Sequence, residues 1–313
     1  MTIPLIIDTD PGVDDAVALL LAAASPEVEL LAVTTVYGNV ELERTTDNAR
    51  RLLALAGRPD VPVARGAARP LVHQQPTRAA DWHGADGLGG GAAALPEPTT
   101  ALHPHGAVQL MAELLRASST PVTIAAIGPM TNVALLLAVH PELAGRIDRL
   151  VVMGGSMTVG NTTGAAEFNV HCDPEAAQRV LHRPDVAVTM VPMDLTVRCA
   201  VPGSWLDALA AAGPRCTALA GLVGHYRARH TASYGFDGVA LHDAVAVLEA
   251  AVPGTLSTTP LSLQVACDVG PARGATVVQL SPAGSGRAVA VARDTDIPAL
   301  HATILERLGR LDA

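Results

Sequence analysis

The chain has 313 residues, 49% of them hydrophobic but only 2% aromatic, so Ala, Val and Leu must fill a core large enough for one big or two ordinary domains. All 21 basic residues are Arg, and a formal net charge of −9 without any basic run argues against nucleic acid polymers or an anionic membrane surface as partners. No apolar run reaches the ~18 residues of a membrane span, which leaves small neutral ligands as the compatible class.

In chain order, Ile3 to Ile7 reads as a buried parallel strand, Pro11-Gly12 as a tight turn, and Asp14-Asp15 as the acidic opening of a helix that continues through the apolar run to Ala24. The turn between them holds Asp8, Asp10, Asp14 and Asp15. Such crowding at a strand end either raises the acids' pKa values or serves a hard cation with oxygen ligands, Ca²⁺ or Mg²⁺. Open α/β sheets place their ligands at this end of a strand. Capping and a solvated turn would explain one or two of the acids, not four.

Downstream, strand-like segments (Glu29 to Val36, Val122 to Ile127, Leu150 to Met153, Val186 to Val191) alternate with helix-like ones (Thr45 to Ala56, His105 to Ala117, Thr131 to Val139, Pro174 to Leu181). The alternation predicts one α/β domain over residues 1–313. Its expected fold is an open, mostly parallel, Rossmann-like sheet with helices on both faces, extra helices after about Pro202, and a closing β-rich segment from Leu261 to Ala292. Two glycine-bounded stretches, Asp81 to Gly91 and Gly221 to Gly238, read as mobile lids. The second is rich in aromatic and imidazole rings, which suit stacking on a flat base. Neither Gly154-Gly155 nor the Gly87 to Gly91 run has the spacing of a dinucleotide or phosphate loop, so no nucleotide cofactor is expected. Cys172, Cys199, Cys216 and Cys267 are widely spaced and read as free thiols in a reducing compartment. No charged and apolar leader segment is recognisable, so a cytoplasmic protein is expected.

Asp8-x-Asp10-x-Gly12-x-Asp14-Asp15 resembles the amino-terminal signature of the nucleoside hydrolase family, the inosine-uridine-type N-ribohydrolases. Tyr37-Gly38-Asn39, Met153-Gly154-Gly155 through Asn161, Glu167-Phe168-Asn169 and His242-Asp243 extend the similarity in order along the chain. The resemblance implies hydrolysis of a ribonucleoside to base and ribose. It implies Asp10 as general base and metal ligand, with Asp15, Asp243 and the backbone carbonyl of Ile127 as further ligands of Ca²⁺. Asp14, Asn39, Asn161, Glu167 and Asn169 would hold the sugar, and a homodimer or homotetramer is implied. Gly128-Pro129 is expected to turn the Ile127 carbonyl inward.

His242 is the candidate acid for the departing base, because an imidazole titrates near neutrality. Ala244 stands where many relatives carry Pro. His83 is assigned to the substrate through its place in the first lid. His230 and Tyr234, four residues apart, share a face if helical and are expected to hydrogen-bond the carbonyl oxygens of uracil, favouring pyrimidine nucleosides. A non-catalytic Ca²⁺-dependent nucleoside or sugar sensor would use the same ligands. A phosphatase of haloacid-dehalogenase type shares Asp8-x-Asp10 but needs a Lys that this chain lacks.

Overall fold

The computed structural model describes residues 2–73, 76–99, 101–279 and 288–313. Strand β1 (Ile3–Thr9) leads into α1 (Val13–Ala24), and β2 (Val28–Thr35) into α2 (Leu42–Leu55). After β3 (Val63–Arg65) come the short α3 (Ala80–His83) and α4 (Ala107–Ala117); β4 (Val122–Ala126) leads into α5 (Thr131–Val139). Then β5 (Ile147–Met153) precedes α6 (Phe168–Cys172) and α7 (Pro174–Leu181), and β6 (Val188–Val191) precedes α8 (Met193–Thr196). The remainder comprises β7 (Val201–Pro202), α9 (Gly203–Ala210), α10 (Pro214–Tyr234), β8 (Gly238–Val239), α11 (His242–Ala251), β9 (Ser257–Leu261), β10 (Leu263–Val265), β11 (Thr276–Val278), β12 (Val289–Asp294) and α12 (Ile297–Gly309).

Eight strands form one sheet in the order β3-β2-β1-β4-β5-β6-β12-β9. Every pairing is parallel except that of β9 with β12. Strand order reverses direction between β1 and β4, which opens a crevice beyond their carboxyl ends. Alternation along β1 divides the core: Leu5 and Ile7 join the face covered by α1, α2, α10, α11 and α12, whereas Ile6 joins the face covered by α4, α5 and α7. Helix α1 is apolar all round because it lies between the sheet and α11, and both helices are buried along nearly their whole length. That sandwich points two acidic helix starts, Asp14-Asp15 and Asp243, at the same crevice.

The expected strands and helices are present with ends shifted by up to three residues. The three-residue β3 carries too few positions to show a period. Two expectations fail. Asp81 to Gly91 does not lack a fixed shape: the Asp86 carboxylate accepts the N–H groups of Leu88, Gly90 and Ala92, and the positive-φ glycines wrap around it. Gly221 to Gly238 is not a loop throughout: its residues up to Tyr234 are the last two thirds of the 21-residue α10, which ends on left-handed Gly235. Gly221 and Gly224 lie in open space on that helix and cost it stability without breaking it. Within the expected β-rich segment from Leu261 to Ala292, residues 280–287 lie outside the described residues. Among the described residues, no helix is long and apolar enough to cross a membrane.

Candidate active site

The crevice contains a cavity of about 870 Å³, within the range of small-molecule sites. Asp10, Asp14, Asn39, Ile127, Asn161, Glu167, Asn169, His83, His230, Tyr234, His242 and Asp243 all line it, so the fold brings together residues that span most of the chain. Asp15 lies directly behind Asp14, bonded to Asn39.

The acids are placed individually. Asp10 follows β1 and is buried; its Oδ2 accepts the Asn39 N–H at 2.7 Å, and its backbone carbonyl accepts the Asn39 side-chain amide at 3.1 Å. A Cβ on Gly38 or Gly128 would collide with the Asp10 carboxylate, so both glycines are required by close approach. Asp15 accepts from the Thr9 hydroxyl at 2.5 Å, from Gly12 N–H at 2.9 Å and from Asn39 Nδ2 at 3.1 Å. Asp14, Asp15 and Asp243 bring carboxylate oxygens within 4.8 Å of one another. This trio differs in one member from the expected ligand acids: Asp14 enters it and Asp10 does not. Asp14 and Asp243 lie close together there, whereas the Asp10 carboxylate is held by Asn39 N–H.

Burial, and then the charge of Asp15, pushes the Asp14 carboxyl up to about 8. Burial raises Asp10, Asp15 and Asp243 as well, with the neighbouring acids adding to the shift in Asp10 and Asp243. No Arg reaches these carboxylates in an ion pair among the described residues. Four buried acids without a counter-charge, all offering hard oxygen, fit a divalent cation.

Asp8 does not belong to this group, contrary to the expectation that the four acids of the turn converge. It is still within β1, and its Oδ1 accepts from Thr34 Oγ1 at 2.6 Å and Asn132 Nδ2 at 2.8 Å. Oδ2 is buried without a partner, and burial lifts the carboxyl to about 7.

The amide and carboxylate residues around the sugar end are half committed to the scaffold. Asn39 spends its N–H groups on Asp10 and Asp15, and Asn169 spends its own on the carbonyls of Ile127 and Met153 at 2.9 and 3.1 Å. Each therefore keeps an acceptor oxygen. Asn161 is the reverse: its oxygen accepts Phe168 N–H, leaving an NH₂ donor. Glu167 caps α6 by accepting from Asn169 and Val170 N–H, and also takes Gly155 N–H. The Ile127 carbonyl has one lone pair occupied by Asn169 and one remaining.

The cavity is also rich in aromatic rings. Trp82, Phe168, Tyr226, Tyr234 and Phe236 line it, five of the seven Phe, Trp and Tyr residues in a chain that otherwise avoids them. Trp82 stacks on Tyr234 at 6.1 Å and carries the Arg229 guanidinium on its face, while His83 stacks on Tyr226 at 5.4 Å. His83 does not sit in a mobile lid: its Nδ1 accepts Val13 N–H at 3.1 Å and so caps α1. Burial, then His242 and His225, hold it down to about 3.

His242 departs from its expected near-neutral titration, because burial and then His230 depress it to about 4. Its Nδ1 lies 2.6 Å from Thr196 Oγ1. His230 and Tyr234 share one face of α10, with ring centroids 4.7 Å apart; His230 is buried and Tyr234 is 62% exposed. Burial lowers the His230 imidazole, and its buried Nδ1 has no partner among the described residues. Sequence reasoning missed Thr196 and Arg78 as supporting or lining groups. Neither stands in a spacing that would have singled it out.

An α/β sheet with buried acids at its switch point and a ring-lined cavity describes a small-molecule site, and the comparisons specify its class. The sequence matches the family described as inosine-uridine preferring nucleoside hydrolase over residues 5–302, and the chain belongs to this family. It is 47% identical over 245 residues to the pyrimidine-specific ribonucleoside hydrolase RihA of Salmonella agona, covering 78% of each chain. Its fold superposes on a plant nucleoside hydrolase, the PpNRh1 enzyme, with a TM-score of 0.92 and 30% identity, covering 98% of this chain and 99% of that one. A purine-preferring ribonucleoside hydrolase from Gardnerella vaginalis gives a TM-score of 0.91 at 28% identity, with 98% of both chains covered. The protein is thus a nucleoside N-ribohydrolase by family.

Proposed function

We propose that this chain hydrolyses the N-ribosidic bond of pyrimidine ribonucleosides, uridine and cytidine ahead of inosine, in nucleoside salvage, with Ca²⁺ as its metal. The observation carrying the base preference is the 47% identity to a relative named pyrimidine-specific, set beside an aromatic pocket lined by His230 and Tyr234.

The residues divide the work. Asp10, Asp15, Asp243 and the remaining lone pair of the Ile127 carbonyl would hold Ca²⁺, which when bound acidifies a water. Asp10 would accept a proton from the attacking water, in a position fixed by Asn39 and two glycines. Asp14 joins Asn39 and Asn169 as acceptors for the ribose hydroxyls, while Asn161 donates and Glu167 shapes the loop that carries it. His242 serves the departing base through an N–H group rather than through a second proton, since its ring is neutral at neutral pH. His230 and Tyr234, both lining the cavity, would read the base through hydrogen bonds to the carbonyl oxygens of uracil.

A panel of uridine, cytidine, inosine and adenosine scored by free ribose tests this reading. Pyrimidine nucleosides should give kcat/KM about tenfold or more above the purines, the discrimination expected from unpaired buried polar groups. A purine preference would overturn the substrate assignment, and no ribose from any nucleoside would overturn the activity. The oligomer proposed is a homodimer or homotetramer, and the cell compartment proposed is the cytoplasm.

A further inference from the structure

Thr196, the last residue of α8, is fully buried and lies outside every motif that marks the family in this chain. Its hydroxyl oxygen is 2.6 Å from His242 Nδ1 and 3.2 Å from the carbonyl oxygen of Met193. A hydroxyl has one proton and can serve only one of these acceptors. Two observations direct it to the imidazole. The Met193 carbonyl is already paired with Val197 N–H at 3.0 Å, and the contact of the hydroxyl with it is the longer of the two by 0.6 Å (3.2 against 2.6 Å). A separation of 2.6 Å suits an O–H donor, whose bonds run from ~2.5 to 3.0 Å, and is short for an N–H donor, whose bonds run from ~2.7 to 3.2 Å. Nδ1 is therefore the acceptor, and the ring proton sits on Nε2, the edge left for the cavity that His242 lines.

We propose that Thr196 is a positioning residue for the hydrolysis, fixing His242 as the Nε2–H tautomer so that the ring presents a donor to the departing base. The proposal rests on the assignment of His242 to the leaving group made above. As the N-ribosidic bond breaks, its electron pair goes to the base, and in a pyrimidine the charge spreads from N1 onto O2. A donor already fixed at that oxygen stabilises the charge without reorganisation. The other tautomer would turn a lone pair toward the same oxygen and repel it. The ring keeps its proton throughout, and the departed base takes one from water.

Thr196→Val keeps the side-chain volume and removes the hydroxyl, whereas Thr196→Ser keeps the hydroxyl. On uridine, kcat of the Val variant should fall about tenfold or more with KM within about twofold, and the Ser variant should keep about half of the wild-type kcat. On 4-nitrophenyl β-D-ribofuranoside, whose phenolate departs unaided, the Val variant should lose under about twofold. Nitrogen-15 NMR of the wild-type ring should show Nε2 protonated and Nδ1 bare, with the two forms mixed in the Val variant. Wild-type uridine turnover by Thr196→Val, equal losses on both substrates, or a wild-type ring protonated at Nδ1 would each overturn the proposal. His242→Ala, assayed alongside, isolates the assignment it rests on: unchanged uridine turnover there would remove His242 from the leaving group, while the NMR result would still decide the tautomer.

Discussion

Asp10 owes its place to backbone. Asn39 N–H fixes one oxygen, and the absence of Cβ at Gly38 and Gly128 makes room for the carboxylate between β1 and β4. Replacing Asp10 by Asn keeps the shape and one oxygen but removes the base, so kcat for ribose release should fall by roughly 10² or more in a protein whose circular dichroism is unchanged. Turnover at the wild-type rate would dismiss Asp10 as base. Gly38→Ala probes the packing instead of the chemistry: the new methyl must displace the carboxylate, and activity should drop at least about tenfold while the fold persists. An alanine variant with full activity would mean that Asp10 does not need its present position.

At the scale of elements, α10 is the part most open to re-tuning. It carries His230 and Tyr234 one turn apart on the face toward the cavity, and its cavity-facing rings bear on Trp82 and His83 of α3 more than on the sheet. If these residues read the base, His230→Ala and Tyr234→Phe should each lower the uridine-to-inosine ratio of kcat/KM by about fivefold or more, since each removes a partner that only one class of base satisfies. An unchanged ratio in both variants would place base selection elsewhere along the aromatic wall. The four-residue spacing was legible in the sequence, but the glycines around it suggested a loop. Only packing against α9, α1 and α3 holds a helix containing Gly221 and Gly224 in place.

For the whole molecule, the buried acids couple metal, protons and stability. Asp8 and Asp14 are raised from 3.8 to about 7 and about 8, so between those limits the folded chain binds more protons than the unfolded one. By linkage, their contribution is fully present below pH 3.8 and is lost as pH rises through about 7 to 8. Protein stripped with a chelator should therefore lose Tm across this window. The ligand acids Asp10, Asp15 and Asp243 are raised as well and must be unprotonated to hold a cation, so Ca²⁺ should raise Tm more at pH 8 than at pH 5. Differential scanning fluorimetry with and without Ca²⁺ checks both signs, and a larger shift at the lower pH would contradict the assignment of the cluster. Metal analysis should find about one Ca²⁺ per chain and reduced affinity in Asp243→Ala, because removing one charged ligand leaves fewer oxygens for the ion. Active protein containing zinc or no metal would reject Ca²⁺.

The alternation of apolar strands and amphipathic helices, the acid-rich turn after β1 and the His242-Asp243 helix start were fixed by local chemistry. Periodicity, capping and charge crowding are properties of short windows, and the order of the motifs along the chain carried the family. What each acid does was decided by tertiary structure. Asp8 and Asp10 are two residues apart, yet one ends in a hydrogen-bonded pocket with Thr34 and Asn132 and the other against Asn39 and two glycines, because the strand ends between them. Thr196 reaches His242 across 46 residues, and Val13 of α1 meets His83 across 70. Desolvation then sets how these groups titrate, and desolvation exists only once α1 and α11 are packed between the sheet and its outer helices.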